Sequence, residues 1–190
     1  LTSPIHVLGF AGSLRKASYN RRLLQVAGEL LPAGMTLEPY DLAPIPLYNE
    51  DLEFADGLPQ SVRDFHARLA AADAFLIVTP EYNFSITGVL KNALDWASRR
   101  MADGQPSPLT DKPAAIFGGG GRLGTARAQL HLRDILIHNN VHVLNSPQVY
   151  IIGVRNHFDQ DGNLTDQGTR DQIATLMAAL ADWTRRLRGF

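Results

Sequence analysis

The 190-residue chain contains no cysteine. That absence excludes a disulfide scaffold, a thiolate-ligated zinc or iron–sulfur centre and a thiol nucleophile, so any redox chemistry must come from a bound cofactor. Long apolar runs are also missing. Ala74 to Val78 is typical of the longest, far short of the about 18 residues a membrane helix needs, and no basic segment followed by an apolar one opens the chain. A cytoplasmic protein without a membrane span is therefore expected. Because the numbering starts at Leu1 rather than methionine, an initiator or leader ahead of it is expected too. Neither sign of charge dominates: 18 Lys and Arg stand against 19 Asp and Glu, which argues against a nucleic-acid surface and against a strongly acidic electron carrier.

Absent motifs narrow the chemistry further. The segment after Gly12 runs Ser-Leu-Arg-Lys-Ala-Ser, which fails the G-x-x-x-x-G-K-[ST] pattern of a nucleotide-hydrolysing loop. No G-x-S-x-G elbow occurs. A phosphorylated receiver would need acidic residues where Thr79, Phe10 and Ala11 stand. His138 and His142 are four apart, but Asn139 and Asn140 intervene as a helix stop, so a metal pair is not expected.

What is present is an alternation of strand and helix. Hydrophobic periodicity predicts strands at about 5–10, 35–40, 74–78, 114–117 and 141–144, the last extending toward Ile152. Helices are predicted at about 19–31, 59–71, 88–100, 121–137 and 166–187, with an irregular Pro-rich connection around Pro39, Pro44 and Pro46. With 45% hydrophobic residues, the length suits a single domain spanning residues 1–190. Five such repeats predict an α/β three-layer sandwich with a five-stranded parallel sheet in the order 2-1-3-4-5. Its ligand site should lie beside the ends of strands one and three, where the connections diverge.

Three loops should meet there. In Gly9 to Asn20, Ser13, Ser18, Asn20 and the guanidinium of Arg15 cluster at a helix start, a pattern suited to a phosphate beyond simple capping. In Thr79 to Gly88, Pro80 stiffens a strand exit while Tyr82 and Phe84 offer flat surface and the intervening amides offer hydrogen bonds to a planar heterocycle. Glu81 is expected to orient this loop or face solvent, and Trp96 to pack in the core or a subunit contact. Gly119-x-Gly121-x-x-Gly124 imitates a dinucleotide fingerprint, yet no Asp or Glu occurs between Asp134 and Asp159 to hold a ribose. The glycines are better suited to close approach of backbone to a flat ring. Arg122 and Arg127 flank the loop and are expected mainly as a solvated face, or as contacts to a nicotinamide dinucleotide phosphate.

Together these loops resemble the NAD(P)H-dependent FMN reductases, in particular their bacterial quinone and chromate reductase branch. The resemblance rests on Gly12-Ser13-Leu14-Arg15 with Ser18 and Asn20, on Pro80-Glu81-Tyr82-Asn83, on Gly88 to Ala93 with Asp95-Trp96, on Ala126 to Gln129 with Leu132-Arg133, and on Asp166-Gln167-Gly168. It implies a flavodoxin-like fold, tightly bound FMN, and a homodimer or homotetramer. It further implies that Ser13, Leu14, Arg15, Ser18, Tyr19 and Asn20 surround the phosphate. Pro80, Glu81, Tyr82, Asn83, Phe84 and Ser85, with Gly119 and Gly120, would then line the ring and ribityl chain. No side chain is assigned a catalytic role, because chemistry would reside in FMN. The implied reaction passes a hydride from NADPH or NADH through FMN to a quinone, flavin, azo or metal-oxyanion acceptor, in ping-pong order at one ring face. The alternative is an FMN-binding electron-transfer or regulatory protein that does not oxidise NAD(P)H efficiently. Relatives often carry Ser or Thr where Gly118 to Gly120 stand, and Pro where Thr87 stands.

Overall fold

The computed structural model describes residues 4–55, 57–101 and 103–189; Leu1 lies outside them. Strands β1 (Ile5–Ala11), β2 (Met35–Tyr40), β3 (Ala74–Val78), β4 (Pro113–Gly120), β5 (His142–Val143) and β6 (Val149–Ile152) form one parallel sheet. The helices are α1 (Tyr19–Glu29), α2 (Glu50–Ala55), α3 (Gln60–Ala71), α4 (Gly88–Ala97), α5 (Ala126–His138) and α6 (Gln167–Arg188), with a 3₁₀ turn at Val154–His157.

The strand order is β2-β1-β3-β4-β5, with β6 also paired to β4. The order predicted from periodicity therefore holds, but the fifth position is split. β5 pairs with Pro113 and Ala114, whereas β6 pairs with Phe117 to Gly120 farther along the same edge. Pro147 lies in the gap, and a residue without an N–H cannot complete a ladder. The second departure is α2, inside the connection expected to be irregular. The Asn49 side chain caps it by accepting from the Asp51 N–H at 3.0 Å, and Glu50, Asp51 and Glu53 place negative charge at its positive end.

Alternation along the strands builds two cores. Val7, Leu76, Val78 and Phe117 face α1 and α6, packing with Leu23, Leu24, Leu176 and Leu180. Leu8, Phe10, Phe75, Ile77 and Ile116 face α3, α4 and α5, packing with Phe65, Leu69, Leu94, Trp96 and Leu132. Trp96 is fully buried, and its Nε1–H donates to the Pro46 carbonyl at 2.8 Å. The core role expected for it is the one it has in this chain.

His66, in the second core, is buried against the Trp96 carbonyl at 2.9 Å from Nε2. A carbonyl can only accept, so Nε2 carries the proton, and Nδ1 has no partner among the described residues. Burial lowers the His66 pKa below its ordinary value, outweighing the Trp96 bond and the Glu53 charge, which act upward. The unfolded chain thus binds a proton more readily than the folded one, and stability falls as pH drops below about 6.5. Denaturant titrations between about pH 7.5 and about pH 5.5 should show a loss of up to about 1.4 kcal/mol per pH unit from this group. His66→Gln, which can still donate to Trp96 but does not titrate, should remove that component; an unchanged pH slope would show that His66 is not its source.

Candidate functional site

At the carboxyl ends of β1, β3 and β4 a cavity of about 340 Å³ opens where the connections from β1 and β3 diverge to opposite faces. Ser13, Arg15, Ser18, Tyr19, Asn20, Pro80, Glu81, Tyr82, Gly119 and Gly120 line it. Four residues expected with them do not. Leu14 is largely exposed, and Asn83, Phe84 and Ser85 stand beyond the rim. Gly121 and the segment Gly153 to Asn156 also line the cavity. Sequence patterning passed over that segment because it follows the edge strand as a short turn. Gly153, with φ of 63°, was its one visible signal.

Each wall has a local cause. Ser18 caps α1, accepting from the Arg21 N–H at 3.4 Å, while its own hydroxyl hydrogen stays available. Ser13 accepts from the Arg15 N–H at 3.4 Å. The Arg15 guanidinium has no ion-pair partner among the described residues and lies 5.8 Å from the Tyr19 ring. Tyr19 and Asn20, at the start of α1 where N–H groups have no intrahelical acceptor, line the same space. Asn20 behaves differently from a simple phosphate donor. Its Nδ2 donates to the Gly119 carbonyl at 3.0 Å and its Oδ1 accepts from the Gly119 N–H at 2.9 Å, fully buried. The amide thereby replaces a strand partner for β4 beyond Phe117, where the ladder to β3 ends, and only one Nδ2 hydrogen remains uncommitted.

The floor between β3 and β4 requires glycine. A Cβ on Gly118 would overlap the Thr79 carbonyl and come within 2.7 Å of Thr125 Oγ1. Thr87 caps α4 by accepting from the Leu90 N–H at 3.2 Å and donates to the Gly12 carbonyl at 2.7 Å. It ties the first loop to the helix after the second.

The second loop is docked on α5. Tyr82 and Ser85 exchange backbone hydrogen bonds of 3.0 Å around Asn83 and Phe84, both with positive φ (50° and 62°), as in a type I′ turn. A phenylalanine in that region is held against strain. The Arg127 guanidinium lies 3.9 Å from its ring centroid and His131 Nδ1 meets Ser85 Oγ at 2.9 Å. Thr125 precedes α5 in a left-handed conformation and gives no side-chain cap. Glu81 supplies the cap from outside, accepting from the N–H groups of Arg127 at 2.9 Å and Ala128 at 3.1 Å. The loop-orienting role expected for Glu81 has this physical form, and Arg127, exposed as expected, also stacks on Phe84. Glu81→Ala should lower unfolding free energy by about 0.5–2 kcal/mol, as for other lost caps. Glu81→Gln should lose less; equal stability of all three proteins in urea would remove the capping role.

Among the described residues no group of three or more His, Cys, Asp or Glu could hold a metal ion, and none of the helices is long and apolar enough to cross a membrane. His142 meets Asp111 at 3.4 Å instead of pairing with His138.

A parallel sheet of this order with one polar, glycine-floored cleft at its switch point defines a flavodoxin-like ligand-binding fold. The family model for NADPH-dependent FMN reductase matches residues 5–155, and the chain belongs to that family. It is 50% identical over 190 residues to an NAD(P)H-dependent FMN reductase of Pseudomonas aeruginosa, covering all of both chains. It is 36% identical to a quinone reductase of Escherichia coli, covering 99% of this chain and 100% of the relative. A solved flavoenzyme NAD(P)H:(acceptor) oxidoreductase from Paracoccus denitrificans superposes with a TM-score of 0.83 at 34% identity, covering 96% of this chain and 98% of its own.

Proposed function

We propose that the chain forms one FMN-binding domain and is an NAD(P)H-dependent oxidoreductase whose acceptor is a small molecule, a quinone foremost. One observation carries this reading. A guanidinium without an ion pair among the described residues, two hydroxyls whose hydrogens are uncommitted and a helix start meet at one end of a single cavity, while Pro80 to Tyr82 and the side-chain-free Gly119 and Gly120 form the other. That division suits a phosphate at one end and a flat ring at the other, and the cavity's volume lies in the range of cofactor sites.

In this reading Arg15, Ser13 and Ser18 hold the phosphate, with α1 contributing its dipole. Asn20 acts mainly by fixing Gly119, so that backbone can approach the ring. Glu81 and the Arg127–Phe84 stack hold the Pro80–Ser85 loop so that Pro80 to Tyr82 form a wall. Bound there, FMN would supply the redox chemistry, accepting a hydride from NADPH or NADH and giving electrons to the acceptor. No protein acid or base is required, in keeping with a cleft that contains Glu81 already committed to α5. Quinone as acceptor is supported by the relatives' names, among them the NAD(P)H:quinone oxidoreductase of Solanum tuberosum at 42% identity. Self-association is supported by Leu130 and Ile137, two turns apart on α5 and 57% and 69% exposed.

Titrating apoprotein with FMN and with riboflavin, which lacks the phosphate, tests the reading. FMN should bind more tightly by about tenfold or more. Equal affinity would remove the phosphate from the cradle, and no binding of either would remove the cofactor.

A further inference from the structure

A second cavity of about 330 Å³ shares Arg15, Tyr19 and Arg155 with the first and continues past it to Arg22, Phe158 and Asp159. None of Pro80, Glu81, Tyr82, Gly119 and Gly120 lines it, so the two cavities join at the phosphate end of the cleft and not at the ring end. Under the FMN reading above, on which this inference rests, a ligand in the second cavity that had to meet the ring would have to cross the phosphate. The space therefore suits a group that is joined to the phosphate itself and leads away from the flavin.

Three guanidinium groups edge this space: Arg15 from the loop after β1, Arg22 from α1 and Arg155 from the 3₁₀ turn. None of them has an ion-pair partner among the described residues. Glu29, which shares a neighbouring cleft with Arg22, is taken by Arg170 at 3.4 Å. The one acid of the cavity is engaged locally: both carboxylate oxygens of Asp159 accept from Asn163, whose N–H and Nδ2 donate at 2.8 and 2.9 Å. The turn these bonds close places Gly162, with φ of 86°, flat against the Arg22 guanidinium, where any Cβ would overlap it. Arg22 is thus seated by backbone, not by an opposing charge. Tyr19 and Phe158 add an aromatic wall, their rings 5.1 Å apart.

Arg15 and Arg155 border both cavities, as groups that straddle a pyrophosphate must, and Arg22 borders only the second of the two. Guanidinium forks pair bidentately with phosphate oxygens, and aromatic faces stack on a nucleobase. We infer that the second cavity receives the adenylate half of flavin adenine dinucleotide, with Arg22 on its phosphate and the Tyr19–Phe158 wall beside its base, so that the chain holds FAD as well as FMN. The cavity's volume lies in the range of small-molecule sites. Joined through its phosphate, the adenylate occupies this space without entering the ring end, which stays open to the acceptor.

Titration of the apoprotein with FAD and with FMN, followed by flavin absorbance, tests the assignment apart from turnover. The unaltered protein should bind FAD at least as tightly as FMN. Arg22→Ala should weaken FAD binding by about tenfold or more, the size of a lost charge-assisted contact, and leave FMN binding within about twofold. Arg22→Gln, which keeps a side chain against Gly162 without the charge, gives the same comparison if the alanine variant does not fold, and Arg22→Lys should recover part of the FAD affinity. FAD bound more weakly than FMN by the unaltered protein overturns the assignment, and so does FAD affinity that survives the loss of the Arg22 charge. Equal losses for both flavins from Arg22→Gln would give that arginine to the phosphate they share and overturn it as well. Unaltered protein that binds neither flavin fails the FMN reading first, and this inference falls with it.

Discussion

Asn20→Ala should destabilise the protein by about 2–4 kcal/mol, because it strips partners from two buried main-chain groups, each of which costs about 1–3 kcal/mol when left unsatisfied. The groups are the N–H and C=O of Gly119, which the Asn20 amide pairs at 2.9 and 3.0 Å across 99 positions of sequence. No other element can take over. The ladder between β3 and β4 stops at Phe117, and β6 lies on the opposite side of β4. Asn20→Asp keeps the acceptor and loses the donor, so it should fall between the two proteins. Urea unfolding of the apoproteins measures this without any cofactor; a change of less than about 0.5 kcal/mol would show that water or a backbone shift satisfies Gly119 instead. The flavin affinity of Asn20→Ala should fall as well, through the displaced Gly119 backbone.

Arg15→Ala should weaken FMN binding by about 1.5–3 kcal/mol, the usual range for a hydrogen bond to a charged group. The folded apoprotein should be nearly unaffected. Arg15 is exposed, has no ion pair among the described residues, and makes only a 5.8 Å contact with the Tyr19 ring. Binding and stability therefore separate for Arg15 and move together for Asn20. Raising the salt concentration should narrow the difference between the unaltered protein and the Arg15→Ala variant, since an exposed charge pair is screened. Equal FMN affinity of the two proteins would mean that the guanidinium does not reach the phosphate. Arg15→Lys should recover part of the loss, retaining the charge without the bidentate fork.

The sheet order was legible because strand burial is written into local sequence. Ala74 to Val78 has no polar residue and is buried on both faces, and the same holds for most of β1 and β4. The split of the last strand was not legible, since periodicity alone places Val141 to Ile152 on one path and only the competition for the edge of β4 divides it. Helix α2 escaped because six residues carry too little periodicity, although Asn49 and the acidic run behind it are a usable start signal.

At the site, the residue types that chemistry demands were visible, but their partners were not. That Ser13, Ser18 and Arg15 share a cleft with Pro80 and Gly119 follows from the order of the strands. That Asn20 turns to Gly119, and that Glu81 caps a helix 45 residues later at Ala126, depends on how α1 and α5 lie across the sheet. Gly153 to Asn156 stayed hidden for the same reason: a turn after an edge strand joins the cleft only because β6 pairs in register with Phe117 to Gly120. The match to relatives across the whole chain establishes the family, whereas the cleft itself states how this chain would hold its cofactor.

The most direct test of the account is the visible spectrum of protein reconstituted with FMN, recorded without oxygen as NADPH is added and then a benzoquinone. The flavin bands should bleach with NADPH and return in full with the quinone. Flavin that binds but stays oxidised would contradict NAD(P)H oxidation and leave a carrier, and protein that retains no flavin would contradict the cleft's assignment as an FMN site.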